Sequence, residues 1–117
     1  MHVCHSWLVD LTIDVHEEPS ATVVTVGGEL DVHTAPSLQA ALAALDSSGR
    51  IVVDLTGVSF LDSTGLSVFV NALADARERQ ATLAVVASAP RVVKVFTLTG
   101  LDSALSLYST LDEALAA

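Results

Sequence analysis

The order of strand-like and helix-like segments predicts an α/β domain. It has a mixed, mainly parallel sheet of four to five strands with about four helices packed on it. Three observations carry this expectation. The run Ile51-Val52-Val53-Asp54-Leu55 is largely apolar on both sides, as a sheet centre covered by helices requires. Beyond it the periodicity changes, and Leu66, Phe69, Val70 and Leu73 recur at helical spacing. After an opening hairpin, strands and helices then alternate, the pattern of parallel strands joined by right-handed crossovers.

A length of 117 residues suits one domain. A content of 51% hydrophobic and 16% charged residues excludes a disordered chain. No apolar run reaches the roughly 18 residues that span a bilayer, and no signal-peptide pattern is present, so a cytoplasmic protein is expected. A lone cysteine, Cys4, fits a reducing compartment. The net charge of −9 argues against nucleic acid or an anionic membrane as partner and favours a basic protein surface.

In chain order, residues 1–6 read as a frayed, disordered segment before a domain spanning 7–117. His2, Cys4 and His5 crowd too closely to surround a tetrahedral ion, and no further cluster follows, so no metal is expected. Residues 7–15 alternate from Val9 onward as a strand with one wet face. Pro19 marks a turn, Ala21 to Val26 form the returning strand, and Gly27-Gly28 end it. Thr34 precedes Ala35-Pro36 as an N-cap, and Leu38, Ala41, Leu42 and Leu45 give the first helix its apolar face. Asp46 to Gly49 close that helix. Arg50 to Leu55 are the third strand and Thr56-Gly57 turn the chain. A helix capped by Asp62 or Ser63 runs to about Arg79, and Ala81 to Ala87 form a fourth strand. Pro90 opens a third helix with Val92, Val93, Phe96 and Leu98 as apolar positions and Gly100 at its end. Leu105 to Tyr108 suit a short edge strand. Thr110 and Glu113 fit a capping box on a last helix from Leu111 to Ala116.

Sites in open α/β sheets gather beyond the carboxyl ends of the strands. Two loops qualify, residues 28–33 and 60–65, and neighbouring strands would bring Asp31, His33, Asp62, Ser63 and Thr64 to one surface. Catalysis by Ser63, activated by His33 and oriented by Asp31 or Asp62, lacks the Gly-x-Ser-x-Gly elbow. Neither a Walker-type loop nor a Gly-x-Gly-x-x-Gly turn is present, and no basic residue lies in either loop, so no enzyme and no cofactor are expected. Two readings of Ser63 remain. It is a capping residue, or it is a substrate whose phosphorylation would place roughly −1.5 to −2 charge at a helix start that tolerates it.

Three signatures in order identify a resemblance. Gly28-Glu29-Leu30-Asp31 with His33-Thr34-Ala35, Val53-Asp54-Leu55 through Phe60-Leu61-Asp62-Ser63-Thr64-Gly65-Leu66, and Phe96-Thr97-Leu98-Thr99-Gly100-Leu101 are similar to those of bacterial anti-sigma factor antagonists built on the STAS domain. The resemblance covers about Ala21 to Leu115. It implies a partner switch in which the unmodified protein binds an anti-sigma factor and frees a sigma factor. The anti-sigma factor, a serine kinase, would phosphorylate Ser63, with Thr64 the runner-up acceptor, and a PP2C-type phosphatase would reverse it. Asp31, His33, Thr34, Asp62, Ser63, Thr64, Gly65 and Leu66 are then the expected partner-binding residues. The alternative is an interaction module that is never phosphorylated, belonging to a transporter-associated or stress-sensing assembly. Arg79-Gln80-Ala81 lacks a glycine often found there in the family, which touches loop shape alone.

Overall fold

A computed structural model describes residues 2–6, 11–45 and 49–117, with the backbone alone for 2–6. The chain runs β1 (His2–Ser6), β2 (Leu11–Glu18), β3 (Ala21–Leu30), α1 (Ala35–Ala43), β4 (Arg50–Leu61) and α2 (Ser63–Glu78). It continues with β5 (Thr82–Val86), α3 (Pro90–Leu98), α4 (Leu101–Ala104), β6 (Ser106–Tyr108) and α5 (Leu111–Ala116). One sheet holds all six strands in the order β1 to β6. The first two pairings are antiparallel and the three from β3 to β6 are parallel, so the mixed, mainly parallel class holds.

Within the segment expected to be frayed, the backbone of residues 2–6 forms strand β1. The backbone of β1 pairs with β2 from His2↔Val15 to Ser6↔Leu11, which adds a strand to the expected four to five. An otherwise open β2 edge would present unpaired N–H and C=O groups, and pairing satisfies them. That demand comes from a neighbouring strand and leaves no periodicity in a short segment. The expected strand start and domain boundary at Trp7, and the helix closure at Asp46 to Ser48, lie outside the described residues.

Two glycine-based expectations are also corrected. Gly27-Gly28 do not end β3, and Thr56-Gly57 do not turn the chain, because both strands run on to pair Leu30 with Leu61. Gly27 lies opposite Gly57, and a Cβ at Gly57 would stand 3.3 Å from both the Gly27 Cα and the Val26 carbonyl oxygen. Small residues here therefore permit close strand approach. Irregular register on either side of this crossing lets the ladder absorb it.

Both faces of the sheet are packed. The main core joins Leu38 and Leu42 of α1, Val68 and Phe69 of α2, and Val92 and Phe96 of α3 to Val24, Val53, Leu55 and Val85 of the strands. On the reverse face α5 covers a smaller cluster of Val23, Val52, Ala84 and Val86 with Ala114. This two-sided covering explains the near-continuous apolar run of β4. The Thr110–Glu113 capping box of α5 is formed as expected, and Gly100 ends α3 at φ 78°. Leu98 is not part of the core: it is 75% exposed, because α3 turns its last residue outward. The one-turn helix α4 brings the helices to five among the described residues and carries no cap signal beyond Gly100.

Phe69 and Phe96 are fully buried and meet edge to face with centroids 5.4 Å apart. Phe69→Ala should cost about 3–5 kcal/mol in urea unfolding, while Leu98→Ala should stay within about 0.5 kcal/mol. Similar losses at the two positions would contradict this packing.

Candidate functional site

Neighbouring parallel strands set the site. β3 and β4 end together at Leu30 and Leu61, and the Asp62 backbone N–H donates to the Leu30 carbonyl at 3.1 Å. Both loops therefore share the carboxyl end of the sheet, as their placement after adjacent strands requires. Asp31, His33, Asp62, Ser63 and Thr64 occupy this end.

The first loop is held by Asp31. Its Oδ1 accepts from the backbone N–H groups of His33 at 2.9 Å and Thr34 at 3.1 Å. These donors, the His33 N–H foremost, outweigh the opposing effect of desolvation and hold the carboxyl below its ordinary value of 3.8. A lowered folded value means the ionised group adds stability that is complete above the unfolded value. That stability is lost as pH falls through the folded one.

Thr34 is the N-cap residue of α1, as expected, but it does not cap through its side chain. Its hydroxyl donates to the Glu29 carbonyl at 2.6 Å and accepts from the Asp31 N–H at 2.9 Å, and no cap bond to α1 is made. At 3% exposure Thr34 shapes the loop from within and offers a partner little surface. The reason is local: an inward hydroxyl must find partners, and the loop backbone provides them.

In the second loop Asp62, rather than Ser63, is the N-cap of α2, its Oδ1 accepting from the Gly65 N–H at 2.9 Å. Ser63 is the first helical residue and is exposed. Among the described residues its hydroxyl makes no hydrogen bond, to His33 or to any other group. The capping and substrate readings thus separate, since Asp62 already fills the capping role. Gly65 is buried, and a Cβ there would come within 2.9 Å of the Leu30 carbonyl oxygen and of Leu61 Cδ1. Like Thr34, it positions the corner and presents no side chain. His33 is exposed, while Asp31, Asp62, Thr64 and Leu66 are half-buried.

Two exposed apolar residues at this end, Val32 and Phe60, were absent from the expected site because apolar residues in such stretches read as core. Phe60 pairs with exposed Glu29 in the β3–β4 ladder, so its side chain leaves the sheet away from buried Leu61. Among the described residues no group of three His, Cys, Asp or Glu side chains is placed to hold a metal ion. No described helix is long and apolar enough to cross a membrane.

The STAS domain family model matches residues 12–114. The chain belongs to the STAS domain family. It is similar to the anti-sigma-B factor antagonist of Listeria monocytogenes, at 35% identity over 102 residues covering 85% of this chain and 90% of that protein. The corresponding protein of Staphylococcus aureus is 36% identical over 95 residues, covering 80% and 88%. A crystal structure of an anti-sigma factor antagonist from Mycobacterium paratuberculosis superposes with a TM-score of 0.84 at 35% identity, covering 92% of each chain.

Two outcomes test this STAS corner. Side-chain NMR titration of Asp31 should give a midpoint below 3.8, and a midpoint at or above it would exclude the backbone clamp. Gly65→Ala should destabilise by about 1–3 kcal/mol despite the helix propensity of alanine, since its methyl meets a backbone carbonyl. An unchanged or raised melting temperature would contradict that close approach.

Proposed function

We propose that this STAS domain protein is an anti-sigma factor antagonist, a regulatory binding protein rather than an enzyme. Unmodified, it binds an anti-sigma factor in the cytoplasm and so releases a sigma factor. Phosphorylation of Ser63 by that anti-sigma factor, a serine kinase, switches the binding off, and a PP2C-type phosphatase restores it. The partner-facing residues are Asp31, His33, Asp62, Ser63, Thr64 and Leu66, with Thr34 and Gly65 shaping the surface from inside.

The observation that carries this reading is the free hydroxyl of Ser63 at the first position of α2. An acceptor serine must be reachable by a kinase, and its modification must leave the domain folded. Ser63 meets both conditions because it is exposed and Asp62 supplies the structural cap. The helix dipole accommodates the added negative charge at this end, so the scaffold persists while the surface changes. The names of the relatives from Listeria and Staphylococcus, each aligned over most of its length, support the antagonist assignment.

Incubation with the cognate kinase and ATP should add one phosphate, mapped by mass spectrometry to Ser63 and lost in Ser63→Ala. A phosphate on Thr64 in the wild-type protein would move the acceptor by one residue. In calorimetry with the anti-sigma factor, Ser63→Asp should bind at least about tenfold more weakly than Ser63→Ala. Equal affinities would refute the switch.

A further inference from the structure

We propose that the open half of the sheet's reverse face, around Glu29, Asp54 and Phe60, receives an arginine side chain of the anti-sigma factor. The inference rests on the reading of this chain as an anti-sigma factor antagonist and adds a second contact to the Ser63 corner. Register and alternation place these residues on one surface. Glu29 lies beside Phe60 in the β3–β4 ladder, Gly27 beside Gly57, and Thr25 beside Asp54. Their strand neighbours Val24, Val26, Leu30, Val53, Leu55 and Leu61 belong to the main core, so these pairs face the other way. On that reverse face α5 covers Val23, Val52, Ala84 and Val86. Nearer the carboxyl ends of β3 and β4, Glu29, Gly57 and Phe60 are exposed, and Thr25, Gly27 and Asp54 are half-buried.

The glycine row gives this surface its shape. Gly27 and Gly57 raise no side chain between the Thr25–Asp54 row and the Glu29–Phe60 row, which stand roughly 13 Å apart along the strands. On the β2 side the Thr12 hydroxyl borders the depression, 2.9 Å from where a Gly27 Cβ would stand. An arginine suits this arrangement. Its planar guanidinium can lie over the Phe60 ring while its N–H groups reach the Glu29 carboxylate on the adjacent strand.

Charge selects the occupant. Among the described residues Glu29 makes no hydrogen bond or ion pair through its carboxylate. Asp54 uses only Oδ1, which accepts from the Thr56 N–H at 3.0 Å and the Thr56 hydroxyl at 2.6 Å. Asp14 adds a third carboxylate in the Thr25–Asp54 row, 3.6 Å from His16 of its own strand. Arg50 stands at the far, amino end of β4, donating to the Ala117 carbonyl at 2.8 Å and lying 5.9 Å from the Tyr108 ring centroid. The remaining Arg and Lys residues, Arg77, Arg79, Arg91 and Lys94, belong to α2, its C-cap or α3, which pack on the opposite face. This half of the face is therefore acidic with no Arg or Lys of its own, and a second copy of the chain would meet like charge there. It is also continuous with the Ser63 corner. Glu29 and Phe60 precede Asp31 and Asp62 by two residues each, roughly 7 Å back along the strands.

The test is calorimetric titration of the purified anti-sigma factor kinase with wild-type protein and with Glu29→Lys, Phe60→Leu, Glu78→Lys and Ser63→Asp. All four sites are exposed, and thermal melts confirm that each variant is folded. Glu29→Lys should bind at least about tenfold more weakly than wild type, and Phe60→Leu about threefold more weakly. Glu78→Lys, the same change of charge at the far end of α2, should bind as wild type. Raising salt from about 0.1 M to about 0.5 M should narrow the gap between wild type and Glu29→Lys. Equal losses in Glu29→Lys and Glu78→Lys would overturn the contact in favour of a general effect of net charge. A loss in Glu29→Lys with none in Phe60→Leu would overturn the stacked arginine. Sedimentation showing a wild-type dimer that Glu29→Lys abolishes, at unchanged kinase affinity, would assign the face to a second copy instead. Wild-type affinity in Glu29→Lys, with Ser63→Asp still impaired, would overturn the contact and leave the antagonist reading standing. No binding by the wild-type protein would remove both together.

Discussion

The carbonyl of Leu30 is where the two halves of the site are joined. It accepts the backbone N–H of Asp62, so the last residue of β3 fixes the residue that caps α2. The same oxygen leaves no room for a side chain at Gly65, which brings the first turn of α2 against the strand ends. If that seam moved, the Asp31 loop and the Ser63 turn would part, although each carries its own local hydrogen bonds. The packed helices and the Phe69–Phe96 pair hold α2 at the angle the seam needs.

Within this corner the structural and chemical roles fall to different residues. Asp31, Thr34, Asp62 and Gly65 are occupied with backbone donors, backbone acceptors or close approach. Ser63 is left exposed, with no hydrogen bond to its hydroxyl among the described residues. A surface group can change its charge cheaply only when nothing inside depends on it, and the division of labour here satisfies that condition. The lowered pKa of Asp31 has the same origin, since backbone N–H groups that organise the loop also favour its ionised form.

Much of the fold was legible in the residues. The two-sided apolar run of β4, the helical spacing after Leu66, and the capping box at Thr110 each express a local or periodic demand, and each holds in the structure. Gly27-Gly28 and Thr56-Gly57 misled because glycine marks a turn in isolation but permits close strand approach when another glycine lies opposite. Leu98 misled because helical spacing places a residue on a face without saying where the helix leaves the core. The pairing of β1 was illegible for a related reason, since an edge strand is recruited by its neighbour's unpaired backbone groups.

By itself the sequence determined the α/β class, the STAS resemblance, the two loops and the candidate serine, because these rest on periodicity, capping chemistry and motif order. Tertiary structure alone decided that Asp62 caps and Ser63 is exposed, that Thr34 turns inward, and that Val32 and Phe60 stay outside the core. The physical reason is that exposure and hydrogen-bond partnership depend on which strand ends meet. For this chain that was settled where Leu30 and Leu61 come side by side.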